Sequence, residues 1–324
     1  MWNRRTIPLL LPFLSLTSVH SLAIANLDHT PLYSGCDRRS MILSSTTSFL
    51  PLSLSLPLVS AATDDSLTTH TNYDCLLDLP PPKGIRIYFC RHGQTENNRL
   101  HLMQGARLDP PINPTGELMA QRIGMAFQQL SLPPTILYHS NLQRAQKTAD
   151  LAAQSMVNTP VRCKLEALAE IDVGPAAEGK TVSITTQQTY AAWSAGFIDA
   201  RHENCGESAR TVLERCSSTL EELVGQARTS PHAVVAAVSH SMYLRFLLAT
   251  MMDMSLAEAT AKIQQTNGCI NVVDFDGSYQ TIGHKSQLFG GQLSQAPPSF
   301  SMKLLAGKVV RLNETRHLQG ILTI

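Results

Sequence analysis

From Gly84 onward the apolar residues fall alternately into short runs and helical stripes. Gly84-Ile85-Arg86-Ile87-Tyr88-Phe89-Cys90 is β-branched and aromatic and follows three prolines, which predicts a buried strand. Asn113-Pro114 predicts a helix start, with proline in the first turn. Met119, Ile123, Ala126, Phe127 and Leu130 then repeat at helical spacing. Thr135-Ile136-Leu137-Tyr138 reads as a second strand, and residues 140–156 as a helix with Leu142, Ala145, Ala149 and Ala152 on one side. Val212, Leu213, Cys216, Leu220 and Leu223 mark a third helix. Ala233 to Val238 is a near-continuous apolar strand of the kind covered on both faces. A helix over 242–251 follows, then a last strand from Cys269 to Phe275, turned by Asp276-Gly277. The segment from Gly290-Gly291 to Pro297-Pro298 reads as a flexible excursion. Strands alternating with helices predict an α/β fold, a mostly parallel sheet sandwiched by helices.

Residues 1–83 have a different texture. They carry 11 charged side chains, lack glutamate, and are rich in Ser, Thr, Leu and Pro. Two apolar runs each follow a basic pair: IPLLLPFLSL after Arg4-Arg5, and SFLPLSLSLPLVSAA after Arg38-Arg39. A basic region, an apolar stretch and small residues at the end compose a secretory-type signal. Both runs fall short of the roughly 20 apolar residues of a membrane span. The expectation is a targeting extension over 1–83, with a catalytic domain over 84–324. Two signals in series resemble the bipartite address of plastid proteins sent on to the thylakoid lumen. One signal peptide with a disordered linker (a secreted or endomembrane protein) and a membrane anchor are the alternatives. Contact with a membrane is expected only through this segment.

Composition narrows the chemistry. The chain has 324 residues and a formal net charge of +1, which argues against nucleic-acid binding through bulk positive charge. Hydrophobic content of 43% against 16% charged excludes a wholly disordered chain. Seven cysteines with no C-x-x-C spacing leave no zinc ribbon and no dithiol redox pair. No metal-ligand spacing is visible, and no cofactor is implied. Oligomeric state is not legible.

Ligands of open α/β sheets bind at the carboxyl ends of strands. Three predicted strands end in Arg91-His92-Gly93, in Ser140-Asn141-Leu142-Gln143-Arg144, and in Ser239-His240-Ser241. Two arginines and two histidines at strand ends suit a phosphoryl group. Guanidinium groups match its oxygens bidentately. An imidazole with an unperturbed pKa near 6.5 can be a neutral nucleophile. Gly93 would let the backbone approach the phosphate.

RHGQTENN resembles the R-H-G-x-T-x-x-N signature of the histidine phosphatase (phosphoglycerate mutase-like) superfamily. MQGARLDPPINPTGELMAQRIG, SNLQRAQKTA, LAEIDVGPAAEG, CGES, VSHS, NGCINVVDFDG and RLNETRHL follow in the family's order, over roughly residues 85–318. The resemblance implies His92 as the nucleophile of a phosphohistidine intermediate. It implies Arg91, Asn98 and Arg144 as ligands of the phosphoryl oxygens, with His240 completing the pocket. It implies Glu170 as the acid for the leaving alcohol and then the base for water. Gln104 and Gly105 would lie at the pocket edge, with Glu207 and Ser208 as weaker candidates. A metal-independent phosphomonoesterase acting on a small phosphorylated substrate is the expected activity. A phosphoglycerate-type mutase and a non-catalytic phosphate binder are the alternatives.

Two positions depart from the family pattern: Ser241 stands where glycine is usual and Ala177 where an aromatic is usual. The W-N run of true phosphoglycerate mutases is absent, and Thr95 stands where acid phosphatases have a second arginine. Residues 174–181 spell G-x-x-x-x-G-K-T, but Pro175 offers no N–H and Glu178 puts a carboxylate in the cradle, so a P-loop is rejected. Cys90 is expected in the core. Trp193, Phe197 and Ile198 are candidates for the substrate mouth or for plain packing. His202, His232 and His284 are assigned to the surface.

Overall fold

The computed structural model describes residues 73–202, 205–230, 232–252, 254–283 and 300–321. The two apolar runs of the extension, the Gly290–Pro298 excursion and His284 lie outside the described residues.

The elements follow in chain order as β1 (Ile85–Arg91), α1 (Glu96–Arg99), α2 (Pro114–Gln128), β2 (Ile136–His139), α3 (Gln143–Gln154), β3 (Val161–Lys164), α4 (Ile184–Ser194), α5 (Ala209–Thr229), β4 (Val234–Ser239), α6 (Ser241–Met252), α7 (Leu256–Lys262), β5 (Ile270–Gly283) and β6 (Ser301–Glu314). They form one sheet in the order β3-β2-β4-β1-β5-β6. The pairs β2/β3, β2/β4 and β1/β4 are parallel, while β5 and β6 close one edge antiparallel. The apolar runs of β1 and β4 are buried along their lengths because both sheet faces are covered. On one face α5 and α6 pack Leu213, Leu220, Tyr243 and Leu247 against Ile87, Phe89 and Val235. On the other, α2 and α3 pack Ile123, Phe127, Ala145 and Ala149 against Tyr88, Val234 and Ala236.

The predicted faces are the buried ones: Met119, Ile123, Ala126 and Phe127 on α2, and Val212, Leu213, Cys216, Leu220 and Leu223 on α5. Asn113 caps α2 by accepting from the Gly116 N–H at 2.9 Å, with Pro114 at the first helical position.

The chain does not leave the sheet at Asp276-Gly277. Gly277 takes φ +87° and the register shifts between Phe275 and Tyr279, so the pair makes a bulge. β5 continues to Gly283, and β6 returns along it. Residues 73–83, assigned by sequence to the extension, belong to the folded unit. Cys75 and Leu76 are buried beside Tyr88 and Phe127. Asp78 pairs with Arg311 and Arg316, and Arg316 Nη2 donates to the Cys75 carbonyl at 2.6 Å. No helix among the described residues is long and apolar enough to cross a membrane.

Candidate active site

The parallel pairing of β1 with β4 matches Arg91 to Ser239, so the next residues, His92 and His240, leave the two strands side by side. Their ring centroids are 5.0 Å apart and the planes are inclined at 53°. Both rings are buried. His92 Nδ1 lies 2.8 Å from the Gly93 carbonyl. A carbonyl can only accept, so Nδ1 carries the proton and Nε2 is left with its lone pair. Burial, with Arg144 and Arg91 beside it, pushes the His92 pKa well below its ordinary value.

His240 Nδ1 accepts from Arg144 Nε at 3.3 Å, which puts the ring proton on Nε2, donated to Ser140 Oγ at 2.7 Å. Burial and Arg144 push this imidazole well below its usual pKa too. Arg144 is fully buried on α3. Its Nη1 donates to the Leu108 carbonyl (2.9 Å) and Asp109 Oδ1 (3.1 Å), and its Nη2 to the Gly105 carbonyl (2.8 Å). Asp109 Oδ2 also accepts from the Gln143 N–H at 2.6 Å, so one carboxylate caps α3 and holds its arginine.

A cavity of about 200 Å³ opens at these strand ends, walled in part by Arg91, His92, Asn98, Gln104 and Glu170. Arg91 Nε and Gln104 Nε2 are buried donors with no acceptor among the described residues. A buried donor left unmet costs about 1–3 kcal/mol, which a phosphate oxygen would offset. Burial brings the Arg91 pKa down to about 10, which leaves it cationic at neutral pH. Asn98 Oδ1 accepts from Thr95 N–H, Thr95 Oγ1 and Asn267 Nδ2, so its own amide nitrogen is the end left to donate.

Glu170 follows a short 3₁₀ turn (Glu166–Leu168) and is 6% exposed. Its Oε1 accepts from the Ile171 and Tyr243 N–H groups at 2.9 and 3.0 Å, and Oε2 from the Met242 N–H at 3.2 Å. The carboxyl group is thus clamped to the first turn of α6. Oε1 has both acceptor positions filled, whereas Oε2 keeps one open.

The expected residues do not all face the cavity. Arg91, His92, Asn98, Gln104 and Glu170 line it; Arg144 and His240 are fully buried and bonded to each other, with the His240 ring against that of His92. Gly105 is a support of Arg144 and not a pocket edge. Glu207 and Ser208 also lie off the cavity. Glu207 pairs with Arg215, which donates to the Ala167 and Ala169 carbonyls and so braces the Glu170 loop, and Ser208 caps α5. Gly93 serves packing: a Cβ there would meet the Gly116 carbonyl oxygen at 2.3 Å, and one at Gly116 would meet the Gln94 carbonyl oxygen at 2.2 Å. Ser241 is on the rim, where its Oγ accepts from Arg245 Nη1 at 2.7 Å.

Of the mouth candidates, Trp193 and Ile198 are core and Phe197 is exposed. The aromatic on the wall is Tyr190, one helical turn before Trp193. His202 is buried against both rings and is not on the surface. Cys90 is core, as expected. Within residues 174–181 the chain turns over 175–179, preceded by irregular chain and with α4 starting only at Ile184, which is no P-loop context. Sequence reasoning missed Asn267, whose Nδ2 donates to the His92 carbonyl and to Asn98 Oδ1, and Asp109; both stand inside the quoted sequence blocks.

Residues 87–286 match the family model of the histidine phosphatase superfamily (branch 1). The probable phosphoglycerate mutase GpmB of Proteus mirabilis is 26% identical over 197 residues, 60% of this chain and 86% of that protein. A broad-specificity phosphatase of Saccharomyces cerevisiae is 29% identical over 184 residues, 56% of this chain and 76% of that protein. The solved structure of Bacillus stearothermophilus YhfR covers 60% of this chain and 92% of its own, with a TM-score of 0.50 at 26% identity.

Proposed function

The chain belongs to the histidine phosphatase superfamily, and from that premise we propose that it is an enzyme that hydrolyses small phosphomonoesters, without a metal, through a phosphohistidine on His92. The observation that carries the reading is the pinned tautomer of His92: its Nδ1–H is held by the Gly93 carbonyl, and its unprotonated Nε2 belongs to a ring on the cavity wall.

The ester phosphate binds among Arg91, Asn98 and Gln104, whose donors match its oxygens. Nε2 of His92 attacks phosphorus in line, and the bond to the alcohol oxygen breaks. Glu170, protonated, delivers its proton to that oxygen as the alcohol leaves. The Gly93 carbonyl stabilises the cationic phosphohistidine through Nδ1–H. Glu170 then removes a proton from water, whose oxygen displaces His92 and releases inorganic phosphate. Fixed positive charge from Arg91 and from the buried Arg144, both close enough to act on His92, stabilises the transferring group. The His240 ring packs against His92, and Arg144 fixes His240 by donating to its Nδ1.

Release of phosphate from p-nitrophenyl phosphate tests the reading. It is expected in the wild type, unchanged by chelator and abolished in His92→Ala. Activity retained in that variant would overturn it. A mutase would isomerise a phosphoglycerate faster than it releases phosphate.

The segment before residue 73 is proposed as a plastid address, supported by its two basic-then-apolar runs. A fluorescent fusion of residues 1–83 that stays in the cytosol or enters the secretory path would refute it.

A further inference from the structure

The wall beyond the phosphate ligands is apolar. Met103, Ile171, Val173, Val182, Tyr190 and Met242 line the same cavity, and Arg91 is its one cationic side chain among the described residues. The Tyr190 ring is fixed from behind: it meets Trp193 edge-on at 5.4 Å and His202 at 5.0 Å, and both of those are buried. Burial, then Glu170, pushes the Tyr190 phenol up, so it stays neutral. Arg245, on α6, is outside the lining, with its Nε donating to the Ile263 carbonyl and its Nη1 to Ser241 Oγ and Met242 Sδ. A second anionic group on a substrate would lie against methyl and aromatic groups, with the Glu170 carboxyl nearby. An unpaired buried carboxylate is heavily penalised. The cavity, about 200 Å³, is also smaller than the roughly 300–1,000 Å³ of sites for drug-sized ligands.

We propose that the preferred substrates are small phosphomonoesters of an apolar, uncharged alcohol, recognised by the Tyr190 ring with Met103 and Met242. This deepens, and rests on, the hydrolase reading above.

Benzyl phosphate, glycerol 3-phosphate and 3-phosphoglycerate test it, since all three have an alkyl alcohol as the leaving group. The full chain is expected to show kcat/KM for benzyl phosphate about tenfold above glycerol 3-phosphate and about a hundredfold above 3-phosphoglycerate. Tyr190→Ser is expected to lower the benzyl value about tenfold and the glycerol value less than about threefold, with Tyr190→Phe close to wild type. Equal or better use of 3-phosphoglycerate overturns the inference while leaving the hydrolase reading intact. So does an equal loss on all three esters in Tyr190→Ser. No phosphate release from any ester in the wild type overturns both.

Discussion

His92 and His240 meet ring to ring, 5.0 Å apart, because Arg91 and Ser239 are register partners in adjacent parallel strands. Strand pairing, not proximity in sequence, builds the site, so each surrounding contact can be tested alone.

Glu170→Gln removes the proposed proton donor but keeps an oxygen that can accept the Ile171 and Tyr243 N–H bonds, while the Met242 N–H loses its acceptor. Turnover of an alkyl phosphate is expected to fall about 10²–10⁴-fold. p-Nitrophenyl phosphate, whose leaving group needs no proton, should lose less in the first step. Stopped-flow assays of both esters measure this.

Three of the buried histidines predict acid sensitivity. His92 and His240 have pKa values well below 6.5, and burial brings His317 down to about 4. Between those values and 6.5 the unfolded chain binds protons that the folded one excludes. Stability is therefore fully present above pH 6.5 and is lost as pH falls below it. The melting temperature is expected to be flat from pH 8 to 7 and to drop steadily towards pH 5. In the free enzyme, NMR should show neither His92 nor His240 titrating near pH 6.5.

Gly93→Ala forces a methyl group to 2.3 Å from the Gly116 carbonyl oxygen, backbone against backbone. Overpacking of this kind costs about 1–3 kcal/mol, and a shift of α2 against β1 would move His92. Urea denaturation and kcat should fall together.

Leu76 is 2% exposed although it precedes the boundary suggested by sequence. Leu76→Ala is expected to cost about 2–5 kcal/mol. A chain starting at Gly84 should lose that and the Asp78 pairs with Arg311 and Arg316, and melt lower than one starting at Tyr73.

The legible parts of the fold are those whose period is imposed by burial. β1 and β4 read as apolar runs because helices cover both faces, and α2 and α5 read as stripes because one face meets the sheet. β6 was missed because it is an edge strand with a mostly half-exposed pattern, and its pairing with β5 is not local. β3 is four residues with none buried. α4 has Thr and Gln where a stripe would need apolar residues, although Ser183 caps it by accepting from the Thr186 N–H. α7 did carry a signal, the Ser255/Glu258 capping box. In the site, chemistry-bearing residues stood out by type. That Arg144 and His240 bind each other, and that Tyr190 is the wall, depends on distances that no sequence pattern encodes.

The phosphoenzyme is the most direct test. Wild-type enzyme mixed with a 32P-labelled phosphomonoester and quenched in alkaline detergent within the first turnover should carry protein-bound label. That label should survive alkali, vanish in mild acid and map to His92, and His92→Ala should carry none. Turnover with no labelled protein, or label of the same stability in His92→Ala, would contradict the account.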